Sequence, residues 1–218
     1  MDIQHHPDDE LLLALASGQL APGMRRVLYS HLELCPACRE RVQALNALGG
    51  QLLDDLAPAD MGDDALARTF ARIDAQAAAP ARTITVSAPP PLPAGARWPR
   101  SLAHCEATPW RWIGPGMRWS RVSLPEEPDA NVFLLRIAAG KYLPRHTHQG
   151  TEFTQVLHGR FHDGRALFGP GDFDAADGEI LHQPVVQDGS ECICLASLDA
   201  PLRFESAIAR FFGSLVGM

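Results

Sequence analysis

Two separate groups of histidine, cysteine and carboxylate residues have the spacing of metal ligands. The first group is His31-x3-Cys35-x2-Cys38. Residues four apart share one face of a helix, and a Cys-Pro-Ala-Cys turn brings Cys38 beside Cys35. Two thiolates and an imidazole suit tetrahedral zinc. A fourth ligand is needed to close such a site, and His5 and His6, just before the first predicted helix, are the candidates.

Two alternatives compete with zinc at this first group. One is a chance Cys-x-x-Cys beside an exposed histidine. The other is a thioredoxin-like redox pair, but the βαβ context that such a pair needs is missing from the surrounding sequence. A closed four-ligand site leaves no position for water and is therefore structural rather than catalytic. We predict a structural zinc ion whose binding supplies much of the folding energy of a small helical domain.

The second group is His146-x-His148-x3-Glu152, and a later histidine, His182, joins it. His146 and His148 are two apart, so on a strand they point to the same side. Glu152 follows a turn and begins the next predicted strand, which lets it return to the same pocket. The nitrogen and oxygen donors suit zinc, iron, manganese or nickel without selecting one. The alternative is a metal-free barrel in which these polar side chains hydrogen-bond to each other.

The elements that must position these groups change type along the chain. Apolar spacing predicts four helices: Pro7 to Gly18, Pro22 to Leu34, Pro36 to Gly49-Gly50, and an amphipathic helix after Asp63-Asp64 that carries Leu66, Phe70 and Ile73. Later turn signals separate short predicted strands at Asn131 to Ile137, Phe153 to Leu157, Gly159 to His162 and Glu191 to Leu198. That rhythm is typical of an antiparallel barrel or jelly roll.

An alanine- and proline-rich segment divides the two patterns and favours extended backbone. We therefore predict a helical zinc-binding domain over residues 1–78, a linker over 79–101 with one short strand at Ile84-Thr85-Val86, and an all-β domain over 102–218. The fold class is thus α+β by domain, a small helical bundle plus a jelly-roll barrel. Proline-rich linkers commonly join domains that fold independently.

Charge and composition exclude several functions. The 218 residues carry a net charge of -7, which argues against direct nucleic-acid binding. No run of about 18 apolar residues predicts a membrane span, and no signal peptide is visible, so a reducing cytoplasm is expected. There, the five cysteines favour ligands or free thiols over disulfides. Cys192 and Cys194 lie on the same side of a predicted strand. We predict that they are either buried apolar residues or oxidisable thiols.

Both groups resemble known families. The segments HHPDDELLLALASGQL and YSHLELCPACRERV are similar to the zinc-binding anti-sigma domain, which implies His31, Cys35, Cys38 and an upstream histidine as ligands. His6 is favoured because it adjoins the Pro-Asp-Asp helix start as the family's histidine does. The run from Gly140 to Gly159 matches the first cupin pattern, G-x5-H-x-H-x3-E-x6-G, at every specified position. A weaker second cupin pattern ends at His182.

Together the two halves resemble the ChrR-type anti-sigma factors over nearly the whole chain. The resemblance implies a cytoplasmic regulator whose zinc module sequesters an extracytoplasmic-function (group IV) sigma factor. It also implies that the cupin barrel, with zinc or another divalent metal, is needed to release the sigma factor in response to singlet oxygen or organic hydroperoxide. The alternative is a metal-dependent cupin dioxygenase or isomerase with an N-terminal accessory domain.

Overall fold

The computed structural model describes residues 2–76 and 89–204. Four helices come first: α1 (Asp9–Ala16), α2 (Pro22–Leu34), α3 (Pro36–Asp54) and α4 (Ala65–Ala75). A 3-10 turn at Arg100–Leu102 precedes the strands β1 (Glu106–Ala107), β2 (Arg111–Gly114), β3 (Met117–Ser123), β4 (Asn131–Ile137), β5 (His146–His148), β6 (Glu152–His158), β7 (Phe161–His162), β8 (Leu167–Phe168), β9 (Phe173–Ala176), β10 (Val185–Val186), β11 (Cys192–Leu198) and β12 (Leu202–Phe204). Helices followed by antiparallel strands confirm the predicted α+β class. Within the described ranges, no helix has both the length and the apolar character needed to cross a membrane.

Local sequence signals place the helix boundaries close to the predicted metal ligands. The Asp8 carboxylate accepts a hydrogen bond from Leu11 N and caps the start of α1. Cys35 both ends α2 and caps α3, since its backbone N–H donates to the His31 carbonyl and its sulfur accepts from Cys38 N. The tight junction between α2 and α3 is therefore built by the ligand residues themselves.

Helix α3 is longer than predicted. It continues through Gly49 and Gly50 and ends at Asp54, so the predicted stop at the two glycines is wrong. A helical glycine costs roughly 1 kcal/mol relative to alanine. That cost is too small to end a helix whose next residues, Gln51-Leu52-Leu53, are good helix formers.

Strands β1 to β12, which we call the barrel, pair antiparallel in three sheets. The largest has the order β1-β3-β4-β11-β6-β9 with β2 beside β3, and the smaller sheets are β10-β7-β8 and β12-β5. The predicted strand at 131–137 matches β4, and the others differ by one or two residues at their ends. Every residue of β11 is buried between β4 and β6, which makes it the centre of the largest sheet.

The helices and the barrel share one hydrophobic core. Buried side chains of α1 and α2 belong to the same cluster as barrel residues such as Val132, Phe153 and Leu195. Arg26 of α2 also donates two hydrogen bonds to the Glu126 carboxylate, at 3.0 and 2.5 Å. The shared core argues against independent folding, because removing either part exposes the apolar surface of the other.

The predicted linker is only partly visible. Residues 77–88, which include the predicted strand at 84–86, lie outside the described residues. The remainder contacts both parts: Trp110 Nε1 donates to the Pro91 carbonyl, and the Glu33 carboxylate accepts from Arg100 N and Ser101 N. The predicted domain limits at 78 and 102 stay predictions.

Candidate metal centres

The first predicted group comes together where the N-terminal segment passes the junction of α2 and α3. His6 Nδ1 lies 3.4 Å from both Cys35 Sγ and Cys38 Sγ, and His31 Nε2 lies 3.4 Å from Cys38 Sγ. The four donor atoms lie within 4.8 Å of one another. His5 points elsewhere, since its ring contacts Phe168 and its Nε2 lies 3.2 Å from the Leu167 carbonyl. We call His6, His31, Cys35 and Cys38 the N-terminal centre.

The geometry of the N-terminal centre fits a tetrahedral ion. With metal–nitrogen and metal–sulfur bonds of ~2.1 and ~2.3 Å, tetrahedral donors lie about 3.4 to 3.8 Å apart. The three donor separations of 3.4 Å agree with that spacing. His31 Nδ1 can only donate to the Gly171 carbonyl, at 2.9 Å, so the lone pair of the neutral ring is on Nε2, facing Cys38. His31, Cys35 and Cys38 are buried, whereas His6 is exposed.

The second predicted group also comes together, on the inside of the barrel. His146 and His148 lie on β5, Glu152 begins β6, and His182 pairs with His146 through two backbone hydrogen bonds of 3.1 Å. His182 Nε2 lies 3.0 Å from His146 Nε2 and 3.3 Å from His148 Nε2. Glu152 Oε2 lies 3.4 Å from His148 Nδ1. We call these four residues the barrel centre.

The hydrogen bonds behind the barrel centre leave two lone pairs facing each other. His146 Nδ1 lies 2.7 Å from the Pro144 carbonyl and must carry the proton of the neutral ring. His182 Nδ1 lies 3.4 Å from the Asp163 carboxylate, which favours the same tautomer. The two Nε2 atoms, 3.0 Å apart, then both present lone pairs. A shared cation relieves that repulsion, so the donor chemistry fits a metal ion.

Comparisons with known proteins show the family of the chain. Residues 99–200 match the family model of the ChrR cupin-like domain. The chain is 42% identical over 214 residues to the anti-sigma-E factor ChrR of Cereibacter sphaeroides, which covers 96% of each protein. The chain belongs to the ChrR family of anti-sigma factors. A crystal structure of Rhodobacter sphaeroides SigE in complex with the anti-sigma ChrR matches with a TM-score of 0.69 and 36% identity, covering 91% of this chain and all of the matched one.

Burial controls protonation in both centres of this ChrR-family chain. Desolvation lowers the pKa of His31 to about 4, and of His146 to about 3, so both rings are neutral at pH 7. Desolvation likewise lowers the pKa of His148 to about 4. Burial, together with the neighbouring thiol of Cys35, raises the pKa of Cys38 to about 12. Neutral imidazoles are the form that binds metals, whereas the thiols must lose protons as a metal binds.

Sequence reasoning assigned no role to three residues that support the centres. The buried carboxylate of Asp163 faces His182 and accepts from Arg165 Nε at 2.6 Å. Burial acts to raise the Asp163 pKa, but hydrogen bonds from His182 and from backbone amides hold it well below its usual range. The Gly171 carbonyl accepts from His31 Nδ1, and Asp172 accepts from Gln4 N and His5 N, next to His6. The only signal for these two residues in the sequence is the turn-forming run Gly-Pro-Gly-Asp.

Cys192 and Cys194, for which the sequence left open a buried apolar role or an oxidisable one, lie beside the barrel centre. Cys192 and Cys194 are buried, with their sulfur atoms 3.7 Å apart. They line a cavity of about 50 Å³ that His146, Glu152 and His182 also line. The hydrogen bond with Cys192 and then burial raise the Cys194 pKa well above the usual value of a thiol. At pH 7 the Cys194 thiol is therefore protonated and only weakly nucleophilic.

Proposed function

We propose that this chain holds an extracytoplasmic-function sigma factor inactive through its helical part and releases it when the barrel detects oxidative stress. Family membership gives the anti-sigma role. The observation that carries the proposed mode of binding is an uncovered apolar surface on α3, α4 and the segment between them. A partner must cover such a surface if it is not to promote aggregation.

This surface, the α3–α4 surface, is large and contiguous in sequence. Its apolar side chains are all more than half exposed: Leu48, Leu52, Leu53, Leu56, Met61, Leu66, Phe70 and Ile73. On α4, Leu66, Phe70 and Ile73 recur at helical spacing on one face. Helix α4 has no buried residue, so nothing among the described residues covers that face.

Charge supports a basic partner. Residues 1–78 contain twelve acidic residues and six arginines, and the α3–α4 surface includes Asp54, Asp55, Asp63 and Asp64. Sigma factors carry basic surfaces that face DNA and polymerase. Acidic residues close in sequence to the apolar ones would steer such a partner, since opposite potentials attract during encounter.

We further propose that the metal of the N-terminal centre is zinc with a structural role. Four protein donors, two of them thiols, leave no open coordination position for water or substrate. The ion would tie the N-terminal segment to the α2–α3 junction, from which α3 extends toward the sigma-binding surface. Zinc would therefore stabilise the docking surface without contacting the partner.

The barrel centre is proposed as the sensor, holding zinc or another divalent metal. Its cavity of about 50 Å³ has room for only about three to five water molecules. Dioxygen species and the O–O group of a hydroperoxide are small enough to enter, whereas a metabolite is not. Bound metal would supply a Lewis-acidic centre beside oxidisable imidazoles and the Cys192–Cys194 pair. The small cavity supports a regulator over the alternative of a cupin dioxygenase or isomerase.

The sigma-binding proposal is tested by co-purification of the tagged chain with its cognate sigma factor. Phe70→Asp places a charge in the α3–α4 surface and is expected to weaken binding by at least tenfold. Tyr142→Asp is the matched control, because Tyr142 is a comparably exposed aromatic residue on the barrel. If Phe70→Asp and Ile73→Asp both bind the sigma factor like the unmodified protein, the α3–α4 surface is not the docking site.

A further inference from the structure

The N-terminal segment that carries His6 is attached to the barrel rather than to the helices. Gln4 N and His5 N donate to the same carboxylate oxygen of Asp172, at 2.7 and 3.0 Å. In return, Phe173 N donates to the His5 carbonyl at 3.0 Å. Three hydrogen bonds therefore fix the backbone immediately before His6.

The environment of Asp172 keeps its carboxylate in position to hold the N-terminal segment. It is 3% exposed, and its second carboxylate oxygen accepts from Gly169 N at 2.8 Å. The turn from Gly169 to Phe173, which we call the β8–β9 turn, is thus held in shape by the same side chain that holds the N-terminal segment. Hydrogen bonds to a buried carboxylate are stronger than those between neutral groups.

The same turn orients a second ligand. The Gly171 carbonyl accepts from His31 Nδ1 at 2.9 Å, which fixes both the ring orientation and the tautomer of His31. Cys35 and Cys38, in contrast, lie at the α2–α3 junction, where Cys35 Sγ accepts from Cys38 N. The barrel therefore orients the ring of His31, which α2 carries, and holds the backbone next to His6.

We propose that the β8–β9 turn completes the N-terminal metal centre, with Asp172 as the positioning residue for His6. This inference rests on the proposed metal site and deepens it, since it makes metal affinity at the helices depend on the conformation of the barrel. Without the turn, only the connection to α1 through Pro7 and Asp8 restrains His6, and ordering the segment costs conformational entropy that lowers the affinity for metal.

A chain of contacts links this turn to the barrel centre. Asp174, two residues after Asp172, accepts from Arg165 Nη2 at 2.7 Å. Arg165 Nε donates to Asp163, which faces His182. A rearrangement at His182 can thus reach Asp174 through polar contacts, and Asp174 is joined to Asp172 by two residues of the β9 backbone.

The experiment measures metal affinity of the full chain by competition with a chelator. Cobalt is the probe for the N-terminal centre, because its thiolate charge-transfer absorption reports cysteine coordination, and Cys38→Ser identifies that signal. Gln4→Pro removes the Gln4 N–H without altering the barrel, and Gln4→Ala is the matched control that keeps it. Asp172→Ala removes the acceptor, whereas Asp172→Asn keeps an oxygen for Gln4 N and His5 N. Asp177→Ala is the control for losing a carboxylate away from the N-terminal centre, since Asp177 accepts from Glu179 N within its own loop.

Loss of an outer-shell partner typically lowers metal affinity by about 10- to 100-fold. We expect a loss of that size in Asp172→Ala, a smaller loss in Gln4→Pro and Asp172→Asn, and none in the two controls. Unchanged cobalt affinity in both Gln4→Pro and Asp172→Ala overturns the proposal. Because these measurements need no partner, a chain that shows the expected losses but binds no sigma factor contradicts the proposed function and leaves this inference standing.

Discussion

Replacing Gly23 with alanine tests how closely α2 approaches the barrel. Gly23 is the second residue of α2 and is buried. A Cβ atom at this position would lie 2.6 Å from Ser197 Oγ and 2.9 Å from Val132 Cγ2. Both separations are shorter than a normal contact, and both neighbours lie on the central strands β11 and β4. The added methyl group must therefore displace these two buried side chains or push α2 away from the sheet.

The expected cost follows from this overlap. Forcing an extra methyl group into a packed core costs about 1 to 3 kcal/mol. Alanine in place of glycine in an unobstructed helix has the opposite effect and stabilises by roughly 0.5 to 1 kcal/mol. Gly50→Ala is the matched control, because nothing lies within 4 Å of a Cβ at that helical position. The two substitutions are thus predicted to change stability with opposite signs.

The assay is thermal and urea unfolding of the full-length protein. A loss of about 2 kcal/mol corresponds to a fall of about 4 to 8 °C in Tm for a chain of this size. Ser197→Ala removes the nearest obstructing atom, so the double variant Gly23→Ala/Ser197→Ala should recover part of the loss, giving a non-additive cycle. If Gly23→Ala is as stable as Gly50→Ala and shows no coupling to Ser197, α2 does not pack on the barrel as described.

Three further predictions concern the metal centres and the two parts of the chain. Cys38→Ser should lose zinc, unfold the helical part and abolish inhibition of the sigma factor; metal analysis and a binding assay check this, and retained binding in the zinc-free protein contradicts it. His148→Ala should leave the sigma factor inhibited but remove the response to singlet oxygen or hydroperoxide, measured with a sigma-dependent reporter; a normal response in the folded, metal-free variant would show that sensing lies elsewhere. A fragment ending at Ala79 should still inhibit the sigma factor but no longer respond to oxidant. Because α2 then loses its contacts with the barrel, the fragment should be well folded only when it is co-expressed with the sigma factor. A fragment that is folded and zinc-loaded but does not bind the sigma factor contradicts the assignment of sigma binding to the helical part.

The candidate ligands were readable from the sequence because their chemistry and spacing are local. The pair Cys35 and Cys38 needs only the turn between two helices, and His146 and His148 need only one strand. The length of α3 was not readable, since a glycine pair is a weak signal beside the favourable residues that follow. His5 and His6 are the same residue type; the family resemblance favours His6, and the fold separates them because His6 Nδ1 faces Cys35 and Cys38, whereas His5 Nε2 faces the Leu167 carbonyl.

Residue types and spacing in the sequence therefore predicted the two candidate sets of donors, the change from helix to strand, and the family. Those properties follow from residue type and short-range periodicity, which act before the chain folds. Tertiary structure alone decided that α2 shares a core with the barrel and that Asp172 and Gly171 reach the N-terminal centre from about 140 or more residues away. Contacts at that separation depend on how the sheets pack against the helices, and no local pattern records them.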